Sequence, residues 1–144
     1  MPVLTPPQER FAREQRVGRL ATADAAGRPH AVPVCYAYVD GAFYLPLDEK
    51  PKVTEVRRLR RVRNVLENPA AALVIDRWDE EWSRLAYLLV RGPAALLEPG
   101  GREHARAVTA LRERYPQYRA MALERAPMIR LTPERVTAWG AVPG

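Results

Sequence analysis

The sequence predicts a mainly β (α+β) domain, in which antiparallel strands form a barrel of about six or seven strands with a few helices packed outside it. Three observations lead to this fold class. The chain has 144 residues, the length of one domain, so residues 1–144 are assigned to a single unit. Most predicted strands follow one another through short turns. Apolar residues recur at helical spacing only in isolated segments, whereas parallel sheets show a regular alternation of strands and helices.

The chain begins with a helix-start signal. Thr5, Pro6, Pro7 and Gln8 follow in the order of cap, first turn and capping-box partner, which predicts a short helix ending near Arg16.

Three consecutive strands are predicted next, at residues 17–22, 30–39 and 42–47. Asp40-Gly41 is a strong signal for a tight hairpin turn between the second and third strands. Pro33 lies inside the second strand, which favours an edge strand or a bulge because proline donates no ladder hydrogen bond.

The second half of the chain predicts a basic helix, two long strands, another helix and two closing strands. The basic helix has apolar residues at helical spacing and ends at Asn68-Pro69. Gly92-Pro93 predicts a bend inside the strand region 85–97. The remaining predicted elements are strand 70–76, a helix from Gly100-Gly101 to Arg114, and strands 128–131 and 135–139, with Trp139 expected in the core.

Lys50 and Lys52 are the only lysines, whereas the other 21 basic residues (23 − 2) are arginines. Lysine is a compact point charge that suits a phosphate in a tight pocket. The alternative interpretation is that two exposed lysines fall in this loop by chance.

The net charge of +6 and the isoelectric point of about 10.0 indicate an anionic partner without identifying it. Nucleic acid is not favoured, because no aromatic residue interleaves with the arginines of residues 57–63 and the apolar spacing buries one face of their helix.

Several catalytic classes lack their motifs. There is no glycine-rich dinucleotide or P-loop motif, and His30, His104 and Cys35 are too few for a zinc site. Ser83 does not lie in a nucleophile elbow. We therefore expect no metal and no named catalytic side chain, but a cofactor that carries the reactivity. The single cysteine, and the absence of a signal-peptide or membrane-span pattern, predict a cytoplasmic protein that does not contact membranes.

A series of short motifs in a fixed order carries a family resemblance. The motifs are Gly18-Arg19-Leu20-Ala21-Thr22, Gly27-Arg28-Pro29-His30, Val32-Pro33-Val34, Lys50-Pro51-Lys52 and Asn68-Pro69-Ala70. Their order resembles the pyridoxamine-phosphate-oxidase-like family of flavin-binding split barrels, and most closely its group of deazaflavin-dependent enzymes that use coenzyme F-420. The resemblance extends from about Val17 to Trp139.

The resemblance implies a six-stranded antiparallel split β-barrel of the FMN-binding type, which forms a homodimer with cofactors between the subunits. Lys50 and Lys52 align with a basic pair that holds the cofactor phosphate. Pro33, Val34 and Cys35 align with the strand along the flavin ring, and Tyr87 of the partner subunit aligns with a ring-contacting position.

Other residues keep two interpretations. Arg57 either contacts a phosphate or carboxylate of the cofactor or is simply solvated, and the arginines after it either form the wet face of a helix or meet the glutamyl tail of coenzyme F-420. Tyr36, Tyr38 and Tyr44 are expected to pack in the core rather than to transfer protons.

The function implied is that of an oxidoreductase that transfers hydride between coenzyme F-420 and a small unsaturated substrate. The alternative is an FMN- or haem-binding oxidase, reductase or ligand carrier of the same fold. A proline in the ring-contacting strand and the lack of a C-terminal Arg-x-His motif argue against oxidation of vitamin B6.

Overall fold

A computed structural model describes residues 4–47 and 56–141 of the chain. Within them the chain forms eight strands and three α-helices. The strands are β1 (Gly18–Ala23), β2 (Pro29–Val34), β3 (Ala37–Val39), β4 (Ala42–Pro46), β5 (Ala70–Arg77), β6 (Ala86–Leu97), β7 (Met128–Leu131) and β8 (Arg135–Gly140). The helices are α1 (Pro6–Glu14), α2 (Arg60–Glu67) and α3 (Arg102–Arg114), and short 3₁₀ turns follow α3.

All strand pairs are antiparallel, and β6 is the strand that two parts of the sheet share. The order β2-β1-β5-β6-β7-β4-β3 runs across the molecule, with β8 paired to β6. Residues 86–91 of β6 pair with β8, and residues 94–97 pair with β7. The mainly β, antiparallel architecture with peripheral helices is thus confirmed.

Gly92 forms the corner of β6 between these two pairings. A Cβ atom at this position would lie 1.9 Å from the carbonyl oxygen of Thr132 and 2.9 Å from the backbone nitrogen of Glu134. Glycine is needed here because the main chain after β7 approaches the bent strand too closely for a side chain. The bend predicted at Gly92-Pro93 is confirmed.

Local sequence signals determine several other boundaries. Thr5 caps α1, and its hydroxyl and the Gln8 side chain form the reciprocal capping box. Asp40 and Gly41 both have positive φ, 49° and 84°, as the tight hairpin between β3 and β4 requires. Pro33 lies on β2, a terminal strand of the sheet order, in agreement with the predicted edge position.

The predicted strand 30–39 is divided into β2 and β3 because Tyr36 leaves the ladder. Its backbone N–H donates to the Tyr115 hydroxyl at 3.2 Å, and the same hydroxyl lies 3.2 Å from its carbonyl oxygen. The Tyr36 side chain points inward, and its hydroxyl donates to main-chain carbonyls of Ala12 and Gln15 at the end of α1. A side chain from a distant helix thus replaces the neighbouring strand at this point.

Two clusters of buried apolar residues form the core. The larger fills the barrel with residues from α1, α2 and most strands, and the smaller lies between α3 and β3–β4. Tyr36 and Tyr44 are buried and Tyr38 is half-buried, so the prediction that these tyrosines pack in the core is confirmed. Trp139 was expected in the core, but it is 52% exposed, because β8 presents this side chain on the outer face of the sheet.

Candidate functional site

One face of the strands β2-β1-β5-β6-β8 is open to solvent in the single chain. Alternate residues of β1 and β5 are exposed or half-buried, while their neighbours fill the core. We call this surface the open face. Three rows of cross-strand neighbours form its centre. They are Ala31, Ala21, Ala72, Arg91 and Arg135; Pro33, Arg19, Val74, Leu89 and Thr137; and Asp76, Tyr87 and Trp139.

Aromatic side chains are concentrated at one end of the open face. Tyr87 and Trp139 stack with ring centroids 5.7 Å apart and an interplanar angle of 19°. Trp78 and Trp82 lie in the connection after β5 and are 64% and 70% exposed. Exposed aromatic residues of this kind indicate a surface that receives a planar molecule or another protein.

The three residues predicted along the flavin ring have different environments. Pro33 is exposed, Val34 is buried and Cys35 is half-buried. Because β2 ends the sheet order, one side of its backbone lacks a neighbouring strand within residues 4–47 and 56–141, so its polar groups are free for a ligand. The backbone contacts expected from Pro33, Val34 and Cys35 stay a prediction.

Tyr87 lies on the same face as Pro33 but far from it. Strands β1 and β5 separate β2 from β6, which places the two strands about 14 Å apart at the usual strand spacing. The two residues therefore lie on separate strands of one subunit, and the contribution of Tyr87 by a partner subunit stays a prediction.

Arg57 forms a two-pronged ion pair with Glu98, at 2.8 Å and 2.6 Å. This hydrogen-bonded guanidinium holds the pKa of the Glu98 carboxyl below its usual value. A cofactor anion would have to compete with Glu98 for Arg57, whose role in cofactor binding stays a prediction.

Lys50 and Lys52, the predicted phosphate ligands, lie outside the described residues. The residues on either side of that segment, Leu47 and Val56, are only 4% and 2% exposed. The two described residues that flank this segment are therefore part of the barrel core.

A cleft of about 380 Å³ lies between α1, β3 and α3. Arg114 lines this cleft, and its guanidinium lies 4.7 Å from the Tyr36 ring centroid and 5.0 Å from that of Tyr115. Arg114 also donates to the Arg13 carbonyl at 2.6 Å and to the Gln15 carbonyl. All three guanidinium nitrogens thus have acceptors within the fold, Nε on the Tyr115 hydroxyl and the other two at the end of α1, so Arg114 joins two helices rather than awaiting a ligand. The spacing of apolar residues in the sequence does not indicate this contact, because its partners are about a hundred residues apart in the chain.

The buried tyrosines are poorly suited to proton transfer. Burial raises the pKa of Tyr36, and burial together with its hydrogen bond to Glu103 raises the pKa of Tyr44. Both hydroxyls also have structural partners, Ala12 and Gln15 for Tyr36 and Glu103 for Tyr44. These side chains hold the fold together and stay protonated at neutral pH.

A second, shallower cleft of about 560 Å³ lies on the open face. Pro69, Ala70, Pro93, Arg91 and Arg135 are among its lining residues. The sequence carries no signal for these two arginines, because their proximity depends on the register between β6 and β8.

Among residues 4–47 and 56–141, no group of His, Cys, Asp and Glu side chains is arranged to hold a metal ion. No helix in the described part of the chain is long and apolar enough to cross a membrane.

Known proteins resemble this chain over nearly its whole length. Residues 4–140 match the family model described as pyridoxamine 5'-phosphate oxidase. The 5a,11a-dehydrotetracycline/5a,11a-dehydrooxytetracycline reductase of Streptomyces rimosus is 34% identical over 138 residues, which cover 90% of this chain and 78% of that protein.

Solved structures share the fold at lower sequence identity. A conserved hypothetical protein of Mycobacterium tuberculosis, Rv2991, has a TM-score of 0.75 at 22% identity, covering 96% of this chain and 86% of that one. The haem storage protein HutZ of Vibrio cholerae has a TM-score of 0.69 at 18% identity, covering 96% and 95%. The family model and the reductase relative each span most of the chain, and they show that it belongs to the pyridoxamine 5'-phosphate oxidase family.

Proposed function

We propose that the protein is an oxidoreductase that uses coenzyme F-420 to transfer hydride to or from a small unsaturated molecule. The observation that carries the proposal is its 34% identity, over 90% of the chain, to a reductase of dehydrotetracyclines. That relative acts on a dehydro compound, which is the kind of substrate that accepts a hydride. The motif order described above favours the deazaflavin cofactor.

The residues on the open face fit a planar cofactor. Pro33 exposes an edge-strand backbone, and Tyr87 and Trp139 offer a stacked aromatic surface. When bound, the deazaflavin supplies the redox chemistry that the side chains lack. The protein's contribution is to orient the ring against the substrate and to exclude water.

A homodimer completes this site. The open face presents half-buried Val74 and Leu89 beside exposed Pro33 and Trp139, an apolar surface that a second copy can cover. Pairing two such faces supplies Tyr87 from the partner subunit to a ring held along β2, which one subunit does not do. The cofactor thus lies between the subunits.

Lys50 and Lys52 hold the cofactor phosphate in this proposal. Their concentration in one segment of an otherwise arginine-based chain supports the assignment. Each charge-assisted contact to a phosphate contributes roughly 1.5–3 kcal/mol. Loss of both lysines is therefore expected to weaken binding at least tenfold.

The alternative is an FMN- or haem-binding oxidase, reductase or ligand carrier. The likeness of fold to the haem storage protein of Vibrio cholerae is the observation that favours the haem form. Against haem, the ring nitrogen of His104 lies 2.7 Å from the Ala126 carbonyl oxygen and the residue is buried. His30, half-buried on β2, is the other histidine of the chain, and it would have to coordinate the haem iron.

A fluorescence titration with coenzyme F-420 and, in parallel, with FMN tests the proposal. The Lys50→Ala/Lys52→Ala variant is compared with wild type and with Arg102→Ala/Arg119→Ala, which removes the same charge from exposed positions on the α3 side. We expect micromolar binding of coenzyme F-420 that weakens at least tenfold only in the lysine variant. Preference for FMN would select the alternative. Equal losses of affinity in both variants would mean that the lysines act only through the overall charge of the protein.

A further inference from the structure

Two arginines face each other on the open face, and neither forms an ion pair within residues 4–47 and 56–141. Arg91 of β6 and Arg135 of β8 are direct cross-strand partners, and both are exposed. Like charges in directly opposite positions of an antiparallel pair are destabilising. Such a pair is therefore expected to have a partner of opposite charge.

That partner is not found among residues 4–47 and 56–141. Arg19 on the same face shows the contrast, because its guanidinium lies 2.7 Å from the Asp76 carboxylate. Neither Arg91 nor Arg135 forms an ion pair or a side-chain hydrogen bond with the described residues. Glu134 also lines their cleft; its N–H donates to the Arg91 carbonyl at 2.8 Å, and its carboxylate forms no ion pair with either arginine in the described part of the chain.

The shape of the surroundings leaves room for a ligand. The cleft of about 560 Å³ is walled by Pro69, Pro93 and the small side chains of Ala70 and Ala72. The Arg91 and Arg135 backbones are fixed by the β6–β8 ladder and by the tight corner at Gly92. The two guanidinium groups are thus borne on rigid strands beside an open space.

We propose that Arg91 and Arg135 form a binding site for a carboxylate group of a ligand. The planar fork of arginine matches a carboxylate in a bidentate manner, and two adjacent forks suit a ligand with more than one carboxylate. The inference rests on the proposed function, because it places this ligand on the face that holds cofactor and substrate. The carboxylate belongs either to the glutamyl tail of coenzyme F-420 or to an acidic substrate.

The test compares three probes on Arg91→Ala/Arg135→Ala. Coenzyme F-420 carries carboxylates, FMN carries none, and citrate is a free tricarboxylate. We expect the variant to bind coenzyme F-420 at least tenfold more weakly and FMN unchanged, which identifies the cofactor tail. If coenzyme F-420 binding is unchanged but calorimetric citrate binding by wild type is lost in the variant, the site holds and its ligand is the substrate.

Matched variants distinguish binding at a specific arginine site from attraction by the overall charge of the protein. Arg91→Lys/Arg135→Lys keeps the charge without the planar forks and should show an intermediate loss, whereas Arg102→Ala/Arg119→Ala should show none. Unchanged binding of both carboxylate probes overturns the inference, and so does an equal loss of FMN. A change in dimer mass by light scattering in the alanine variant also overturns it, because the partner subunit would then be the occupant. If wild type binds neither cofactor, the proposed function fails, and the citrate comparison alone decides the site.

Discussion

At Gly92 the main chain of β6 runs so close to residues 132–134 that a side chain has no space. Gly92→Ala would place its Cβ atom 1.9 Å from the Thr132 carbonyl oxygen, and the clashing atoms are backbone. Neither strand can move without breaking the hydrogen bonds from Thr132 to Pro93 and from Glu134 to Arg91, at 3.0 Å and 2.8 Å. We expect a free-energy cost of about 2 kcal/mol or more, and a Tm lowered by roughly 5 °C or more.

Gly101→Ala is the matched control for Gly92→Ala, measured by thermal unfolding followed by circular dichroism. No atom lies within 4 Å of a Cβ built at Gly101, and this residue is the N-cap of α3 with φ of −105°. Its substitution should cost less than about 1 kcal/mol. Equal Tm values for the two variants would show that the corner at Gly92 can relax.

At the scale of single elements, Arg114 supplies several of the hydrogen bonds that join the end of α1 to α3. The last carbonyls of an α-helix lack partners within the helix. Arg114 supplies them, since it donates to the carbonyls of Arg13 and Gln15, while its guanidinium lies over two tyrosine rings. The position of α1 therefore depends on a residue of α3.

We predict that Arg114→Met loosens α1 while the sheet stays intact. The variant keeps the aliphatic stem but loses the donors, at an expected cost of about 1–3 kcal/mol. Amide hydrogen exchange should become faster in residues 6–16 and change little in β5 and β6. Arg119→Met, at an exposed position, should leave the exchange unchanged. Faster exchange throughout the chain would instead mean that α1 is part of the global unfolding unit.

Elements determined by neighbouring residues were predictable, and contacts across long separations were not. The Thr5 cap, the Asp40-Gly41 turn and the edge position of Pro33 each follow from conformational limits of a few residues. The pairing of Arg91 with Arg135 depends instead on the register of strands more than forty residues apart. The hydrophobic character of Trp139 predicted a core position, but its exposure depends on which face of β8 is covered.

The candidate site was predictable to a similarly limited extent. Its strands follow from the hydrophobic pattern, and its ring-contacting residues follow from the family resemblance. The division of Pro33 and Tyr87 between distant strands is visible only in the folded sheet. Lys50 and Lys52 stay predictions from composition and resemblance.

For the molecule as a whole, the open face predicts the assembly state. Leu89 lies near its centre, between Val74 and Thr137 in the cross-strand row. We expect Leu89→Arg to convert a dimer into a monomer, because a second copy covering this face would bury the added charge without supplying a new opposite charge. Light scattering coupled to size-exclusion chromatography measures the mass directly.

Leu66→Arg serves as the control for assembly, since Leu66 is 61% exposed on α2 and lies away from the open face. It should leave the mass unchanged. A wild-type protein that stays monomeric at tens of micromolar would contradict the homodimer, and with it a site built from two subunits.

The central position of β6 has a consequence for the order of events during synthesis. Its hairpin partner β5 precedes it, but the strands that complete its two ends, β7 and β8, follow about thirty to forty residues later. Until both have left the ribosome, a nascent chain carries β6 with unpaired backbone along one edge, which is a template for association with other chains. The sheet can therefore close only after translation has passed β8, and the interval before that point is when the chain most needs protection from aggregation.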